Sequence, residues 1–424
     1  MSKDELIAAA WQDVAVADNS IEQAISSLRK TLGTQADGAP YIETLTRRGY
    51  RFRAEVARGK PRQSDASLDA LLAPYRAFVE GRAALETLDR SAIVRARDAF
   101  AQALKADPDY QAAHVGMANA CALCFESTRA HLSPDVEALR YAEHHAREAC
   151  RLDPSSGEAW STLAFVLHRI GSGAEAIAAA RKAVTLDGGN WHHHLRLAFV
   201  SWGEERLRAA HRVLALCPGL ALAHWFAATV FVARQAFDVA LEALHAGCAS
   251  QDAQRTEAGR FKAVGLHLLH GLVLAAHAKE TEALEQFARE LEFEADDQLY
   301  ARECCANTWY AIGALHRRLG RRHDADAAFR EALNRVPGHP LAATACGVVP
   351  RGAVANTVDG AMVKAAALVL QGKHDDAAQI CAEALARADS GPAGWILPVE
   401  PLLNPASHPD VWRRTLAMLR DRAA

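Results

Sequence analysis

An excess of charge is the first thing missing from this chain of 424 residues. Its 48 Lys and Arg stand against 51 Asp and Glu, a formal net charge of -3. No global field draws it to a polyanion, so any such contact needs a local basic patch. A cysteine framework is missing too. The nine cysteines are scattered and odd in number, the pattern of thiols in a reducing cytoplasm. Cys121 and Cys124 form a Cys-x-x-Cys, but it lies in an alanine-rich helical pattern with no second pair nearby, so they read as buried thiols. His192, His193 and His194 open a helix on which adjacent residues point different ways, and no metal is expected there. The most apolar run, Leu266 to Ala278, holds three histidines and is too short to span a bilayer. The polar, acidic start carries no signal-peptide pattern. A cytoplasmic chain without membrane contact is expected. Enzyme signatures are also lacking: there is no glycine-rich phosphate loop, His-Glu-x-x-His or Gly-x-Ser-x-Gly. Asp375 and Asp376 sit where a helix start would place solvated caps. No catalytic activity and no cofactor are expected.

What the chain has in abundance is alanine, arranged with a period close to 34 residues. Columns of small, bulky-or-small and small residues followed by proline recur at Ala96, Phe100, Ala103, Pro108; at Ala142, Ala146, Ala149, Pro154; and at Ala325, Phe329, Ala332, Pro337. Ala176, Ala180 and Ala183 repeat the column with Gly188 in the proline place, and matching partner columns run through Trp160, Leu163, Ala164, Leu167 and through Trp309, Ile312, Gly313, His316. Small residues let two antiparallel helices approach, aromatic rings fill the gap, and proline ends the second helix. The pattern resembles tetratricopeptide repeats, closely at 157–190 and 306–339, weakly at 221–247 and 361–388, and in degenerate form near Trp191 and Gly259. About eight helical hairpins are expected between residues 74 and 390. A proline-rich segment, Pro392 to Pro409, should lie against the last repeat, followed by a closing helix from Val411 to Arg422. The first helices of such hairpins line a concave face. Asn119, His168, Arg169, Trp202, His224 and Asn307 are candidates there for an unidentified protein or small-molecule partner, each with ordinary packing as its alternative.

The first 53 residues differ in character. Ser2 to Trp11 reads as a short helix, with Ser2 as N-cap and Glu5 three residues on. Gln12 to Asp18 is a loop, and Asn19 or Ser20 caps a second helix to Leu32 with Ile21, Ala24, Ile25 and Leu28 inward. Gly33 ends it. Two short strands, Tyr41 to Leu45 and Tyr50 to Val56, flank Thr46-Arg47-Arg48-Gly49, and a polar linker follows. Between Tyr41 and Arg62, seven basic residues (Arg47, Arg48, Arg51, Arg53, Arg58, Lys60, Arg62) face Glu43 and Glu55, a local +5. A solvated linker would also be basic in this way.

Ser2 to Ile7, Asp18 to Lys30 and Arg47-Arg48-Gly49-Tyr50-Arg51-Phe52 together resemble the OmpR/PhoB-type winged helix of bacterial transcription regulators. The fold class this implies is mainly α: a partial winged helix-turn-helix followed by an α-solenoid of TPR-like hairpins. The domains would be 1–57 (winged helix), 58–73 (linker), 74–390 (repeats) and 391–424 (closing segment). The resemblance implies double-stranded promoter DNA as partner, with base readout from the second helix and the arginines on the wing. Gln23, Ser26, Ser27 and Lys30 point away from the apolar stripe. Glutamine can pair with adenine and lysine can reach guanine or phosphate. Asn19 and Ser20 suit a phosphate at the helix N-terminus, Trp11 matches an aromatic that packs on the backbone, and Arg47 and Arg48 form the wing tip. Ser26 and Ser27 depart from the arginines often found in the family, which implies weaker or differently aimed contacts. Arg51 and Arg53 should face solvent while Tyr50 and Phe52 pack.

The resemblance also implies strands and a first helix ahead of Ser2. Relatives carry valine before Ser-Lys-Asp-Glu-Leu, so Met1 fits either a valine codon read as a start or a genuine truncation. Without that helix, Leu6, Ile7, Ile25 and Leu28 lack a packing partner worth about 1.5–3 kcal/mol per side chain. Two rivals to the regulator stand beside it. One is a repeat scaffold whose winged helix no longer contacts DNA, or is a small α/β cap. The other, an enzyme, would need motifs that are absent. Because repeats bury their faces against neighbouring hairpins, a fragment starting at Ser67 should give strong helical circular dichroism and a cooperative melt. An unfolded fragment would instead make the N-terminal residues an integral cap.

Overall fold

The computed structural model describes residues 25–26, 28–29, 32–35, 38–45, 49–54, 65–86, 88–131, 133–254, 263–295, 299–348 and 357–424. The chain divides into two compact units, Met1–Ala73 and Pro74–Ala424.

In the first unit, β1 (Ile42–Leu45) and β2 (Gly49–Phe52) form an antiparallel hairpin in which Ile42 pairs with Phe52 and Thr44 with Tyr50. The second strand is shorter than the alternation suggested, since Arg53 and Ala54 have left it. Ahead of the hairpin, Ile25, Ser26, Leu28, Arg29 and Leu32 are helical. Gly33 takes a left-handed φ of 69° and its N–H closes on the Arg29 carbonyl at 2.9 Å. The expected glycine stop is in place.

The second unit is built almost wholly from helices. Eight hairpins follow one another among the described residues: α1 (Asp65–Glu86) with α2 (Arg90–Ala106); α3 (Gln111–Thr128) with α4 (Val136–Leu152); α5 (Gly157–Arg169) with α6 (Gly173–Leu186); α7 (Trp191–Val200) with α8 (Gly203–Leu216); α9 (Ala221–Ala233) with α10 (Phe237–Gln254); α11 (Leu266–Ala276) with α12 (Glu280–Leu291); α13 (Ala301–Arg318) with α14 (Arg322–Arg335); and, after the short α15 (Pro340–Ala345), α16 (Val358–Val369) with α17 (His374–Arg387). α18 (Pro409–Arg422) completes the chain. Helix α1 begins at Asp65, inside the stretch read as a linker, so that its residues 65–73 belong to the first unit and those from Pro74 on to the second.

The alanine columns are the core. Ala96, Phe100, Ala103, Ala142, Ala146, Ala149, Ala176, Ala180, Ala183, Phe329 and Ala332 are fully buried. Second helices end where the sequence says they must. Asp107, Asp153 and Val336, each before a proline, take extended backbone because the ring of the following proline excludes the helical conformation. The turn inside six of the eight hairpins is also alike, those of α3/α4 and α7/α8 being the exceptions. Two residues before the second helix the backbone is left-handed, at Gly171 and Gly320 and equally at Leu88, Gln235 and Ala278.

The closest helix approach depends on missing side chains. A Cβ at Gly116 would lie 2.3 Å from the Phe100 ring, at Gly271 2.4 Å from Phe287 and at Gly313 2.6 Å from Phe329. Gly313→Ala gains about 1 kcal/mol of helix propensity, yet must displace a fully buried ring, and overpacking costs about 1–3 kcal/mol. The expected result is a lower Tm in thermal melts, recovered when Phe329→Leu is added. A Tm raised by Gly313→Ala alone would contradict the steric account.

Candidate functional site

In the first unit, a guanidinium ties helix to hairpin. Arg29 Nε donates to the Ile42 carbonyl at 2.9 Å and Nη2 to Thr44 Oγ1 at 2.6 Å. Ile25, Ile42 and Tyr50 are buried beside this tether, while Leu28 is 43% and Leu32 41% exposed. The inward row is therefore Ile25 and Arg29, four residues apart, and Leu28 does not belong to it as expected. The sequence holds a signal for this, since position 29 continues the i, i+4 row of Ile21 and Ile25, at a charged residue that hydrophobic patterning does not mark as inward.

Ser26 is exposed on the helix, the orientation a base- or phosphate-reading side chain requires. Trp11, Asn19, Ser20, Gln23, Ser27, Lys30, Arg47 and Arg48 lie outside the described residues. On the hairpin, Arg51 is exposed but spends its charge on Glu43, with Nη2 to Oε2 at 2.6 Å. Such an exposed pair adds about 0–1 kcal/mol, so it is easily exchanged for another anion. Arg53 is exposed. Phe52 departs from expectation: it stacks on Tyr41 with ring centroids 5.9 Å apart, yet remains 46% exposed.

In the second unit the candidate inner-face residues prove to be largely engaged. Asn119 on α3 donates to Thr162 Oγ1 on α5 at 3.0 Å, joining neighbouring first helices. Arg169 at the end of α5 closes on Glu126 of α3, with Nε to Oε1 at 2.7 Å and Nη2 to Oε2 at 2.9 Å, and lies 4.7 Å over the Phe199 ring. His168 packs edge-on against Phe199 at 5.1 Å. Trp202 stands between α7 and α8 with the Arg206 guanidinium 4.6 Å over its ring. His224 faces its own hairpin partner, its Cβ within 2.9 Å of where a Cβ at Gly247 would stand. Asn307 Oδ1 accepts from His339 Nε2 at 2.9 Å. Packing accounts for Trp202 and His224, while Asn119, Arg169 and Asn307 join separate helices.

Two polar residues passed over in the sequence are central. Glu126 has a fully buried side chain and accepts from Tyr300 OH at 2.9 Å as well as from Arg169. Arg206 is buried, with its Nε on the Ala198 and Ser201 carbonyls and Nη1 on Thr229 Oγ1 at 3.1 Å; burial pushes its pKa down to about 9. Its carbonyl partners come from the end of α7, where a cation is favoured.

The closing segment does more than rest on the last hairpin. Thr415 Oγ1 donates to the Ala378 carbonyl of α17, but Trp395 meets Trp225 of α9 at 5.9 Å, Gln235 donates to the Leu416 carbonyl, and Tyr310 of α13 donates to the buried Glu400 carboxylate at 2.5 Å. Part of the face lined by first helices is thus filled by the chain itself. Burial raises the Glu400 carboxyl above its ordinary range. The Cys121 and Cys124 thiols are buried, and Cys121 is pushed up to about 12. Among the described residues no group of three or more His, Cys, Asp or Glu is placed to hold a metal, and no helix is long and apolar enough to cross a membrane.

Residues 1–52 match the family model "Transcriptional regulatory protein, C terminal", and residues 306–338 match "Tetratricopeptide repeat". No curated protein matches the chain. The human IFIT1 dimer with PPP-AAAA is similar in fold at 16% identity and a TM-score of 0.50, over 74% of this chain and 73% of that one. The human IFIT1 dimer with m7Gppp-AAAA gives 15% and 0.52, over 74% and 72%. The APC/C hetero-tetramer Cut9-Hcn1 gives 15% and 0.46, over 84% and 57%. At such identities the likeness to IFIT1 is one of fold alone. The chain carries an OmpR/PhoB-type winged-helix segment fused to tetratricopeptide repeats.

Buried and half-buried histidines give the repeats a pH dependence of definite sign. Burial pushes His145, His168, His270 and His339 down to about 4. At His339 the neutral state is also built in, since Nδ1 accepts from the Ala342 N–H while Nε2 faces Asn307 Oδ1. Folded values below the ordinary value near 6.5 mean that this stability is fully present above pH ~6.5 and is lost as pH falls toward ~4. Thermal melts should show Tm dropping across that window. His339→Asn, which keeps an N-cap acceptor without titrating, should show a shallower drop, and an unchanged slope would remove His339 from the account.

Proposed function

We propose that this protein is a transcription regulator in which residues 1–57 contact promoter DNA and the repeat superhelix, residues 74–390, senses a protein or small-molecule partner. Residues 58–73 connect the two and residues 391–424 close the array. What supports the reading above all is the family match over residues 1–52, whose hairpin carries Arg47 and Arg48. Gln23, Ser26, Ser27 and Lys30 are assigned to the groove, Asn19 and Ser20 to a phosphate at the helix start, and Trp11 to the backbone beside it. The local +5 around the hairpin supplies an attraction that the overall charge does not. Arg51, held among the described residues by an exposed pair with Glu43, can turn to a phosphate at little cost. The site of action is the cytoplasm, and no catalytic step is assigned.

A second reading, a repeat scaffold without DNA contact, is favoured by one observation: Leu28, Leu32 and Phe52 expose apolar surface in the unit that should read DNA. Such surface suits a protein contact better than a phosphate backbone.

Anisotropy titration on a duplex promoter fragment separates the two. With about four to six phosphate contacts, the logarithm of affinity should fall with the logarithm of salt at a slope near -4 to -5. Arg47→Ala with Arg48→Ala should weaken binding to all sequences and flatten that slope. Binding unchanged by the double substitution would remove the wing, and no binding at low salt would favour the scaffold.

A further inference from the structure

Neighbouring hairpins meet through alanine-rich faces, but apart from the closing segment a further contact joins hairpins far apart in sequence. Arg129, at the end of α3, forms a two-pronged pair with Glu303 of α13, 174 residues away, through Nε at 3.1 Å and Nη2 at 2.9 Å. Beside it Tyr300 OH donates to Glu126, and the Leu299 N–H donates to the Leu88 carbonyl at 3.2 Å. A small apolar cluster of Ile93, Cys124, Ala138 and Leu299 accompanies them. The array therefore bends far enough for its seventh hairpin to touch its first and second.

We propose that this contact is a gate on the inner face of the superhelix, opening and closing while the hairpins on either side stay folded. The proposal rests on reading that face as the partner-binding surface. Three features distinguish the contact from the interfaces between neighbours. Its apolar part is four buried residues, against the continuous core elsewhere. Its principal ion pair is one-third exposed on both sides, so water and salt reach it. Most telling, opening strands no buried charge. Glu126 lies on α3 and its cationic partner Arg169 on α5, so both stay on the same side of the opening, and only the Tyr300 hydroxyl is withdrawn. Arg129 and Glu303 would each pass into water. Among the described residues, what is lost is the Tyr300 hydroxyl bond, the Leu299 backbone bond, the wet Arg129–Glu303 pair with the Arg129 guanidinium over the Tyr300 ring, an exposed Arg302–His131 contact and a small apolar contact. What is gained is access to Glu126, which Tyr300 covers in the closed state, and through it to its partner Arg169.

Hydrogen exchange on the full chain tests this without any partner. The Leu299 amide, bonded across the contact, should exchange at least roughly tenfold faster than amides in the middle of α5, because it reports a local rather than a global opening. Added salt should speed it further. Arg129→Glu, which sets a carboxylate against both Glu303 and Glu126, should raise the Leu299 rate by about another tenfold while leaving α5 unchanged. Glu303→Gln, a milder change, should act in the same direction, and Arg129→Glu with Glu303→Arg should restore protection. Equal protection of Leu299 and α5 in the wild type would overturn the gate. So would variants that alter both amides alike, since the contact would then be an integral part of the global fold. Because the measurement involves no ligand, its failure leaves the sensor reading standing, and failure of the repeats to bind a partner leaves the gate standing.

Discussion

The repeat unit depends on how closely two helix backbones can approach. At Phe100, Phe287 and Phe329 a ring occupies the space that a Cβ on the facing helix would need. Where no ring is present, columns such as Ala142, Ala146, Ala149 and Ala176, Ala180, Ala183 achieve the same approach with methyl groups. Helix separation, and with it the curvature of the array, is set by these small residues. A curvature tight enough to bring α13 back to α3 follows from repetition of one local geometry, summed over hairpins.

That geometry was legible in the sequence wherever its chemistry was explicit. Proline after the second helix, the alanine columns and Gly313 in the column facing Phe329 all announced themselves, and hairpins α5/α6 and α13/α14 lie where the pattern put them. The weaker hairpins were obscured for an identifiable reason. In two of them, α9/α10 and α11/α12, the turn adopts the same left-handed conformation that Gly171 and Gly320 supply, but with Gln235 and Ala278 in the glycine's place. The conformation persisted while its sequence signal did not. A non-glycine residue there costs roughly 1–2 kcal/mol, which the surrounding apolar packing offsets.

Long-range polar contacts were the least legible. Nothing in a period of 34 residues indicates that Glu126 and Tyr300 will meet, because the pairing depends on the accumulated bend of five hairpins. Arg29 in the N-terminal unit illustrates the same difficulty on a smaller scale. A guanidinium with both a carbonyl and a hydroxyl acceptor can take an inward position that hydrophobic patterning reserves for leucine, and Leu28 then turns outward. Much of the proposed DNA-reading face follows from family likeness, whereas the inner face follows from geometry.

The closing segment also bears on how the molecule comes to be folded. A solenoid ordinarily assembles by adding each hairpin to the one before, with contacts short in sequence and correspondingly quick to form. Here Arg234 and Gln235 in the fifth hairpin bond to carbonyls more than 180 residues later, and Tyr310 to a carboxylate 90 residues later. While the chain is being synthesised, the middle hairpins must wait with Trp225 and Tyr310 uncovered until the last-made residues arrive. Completion of the array is thus a slow, late event, and for that interval the exposed aromatic rings are where a chaperone, or a second nascent copy, would first take hold.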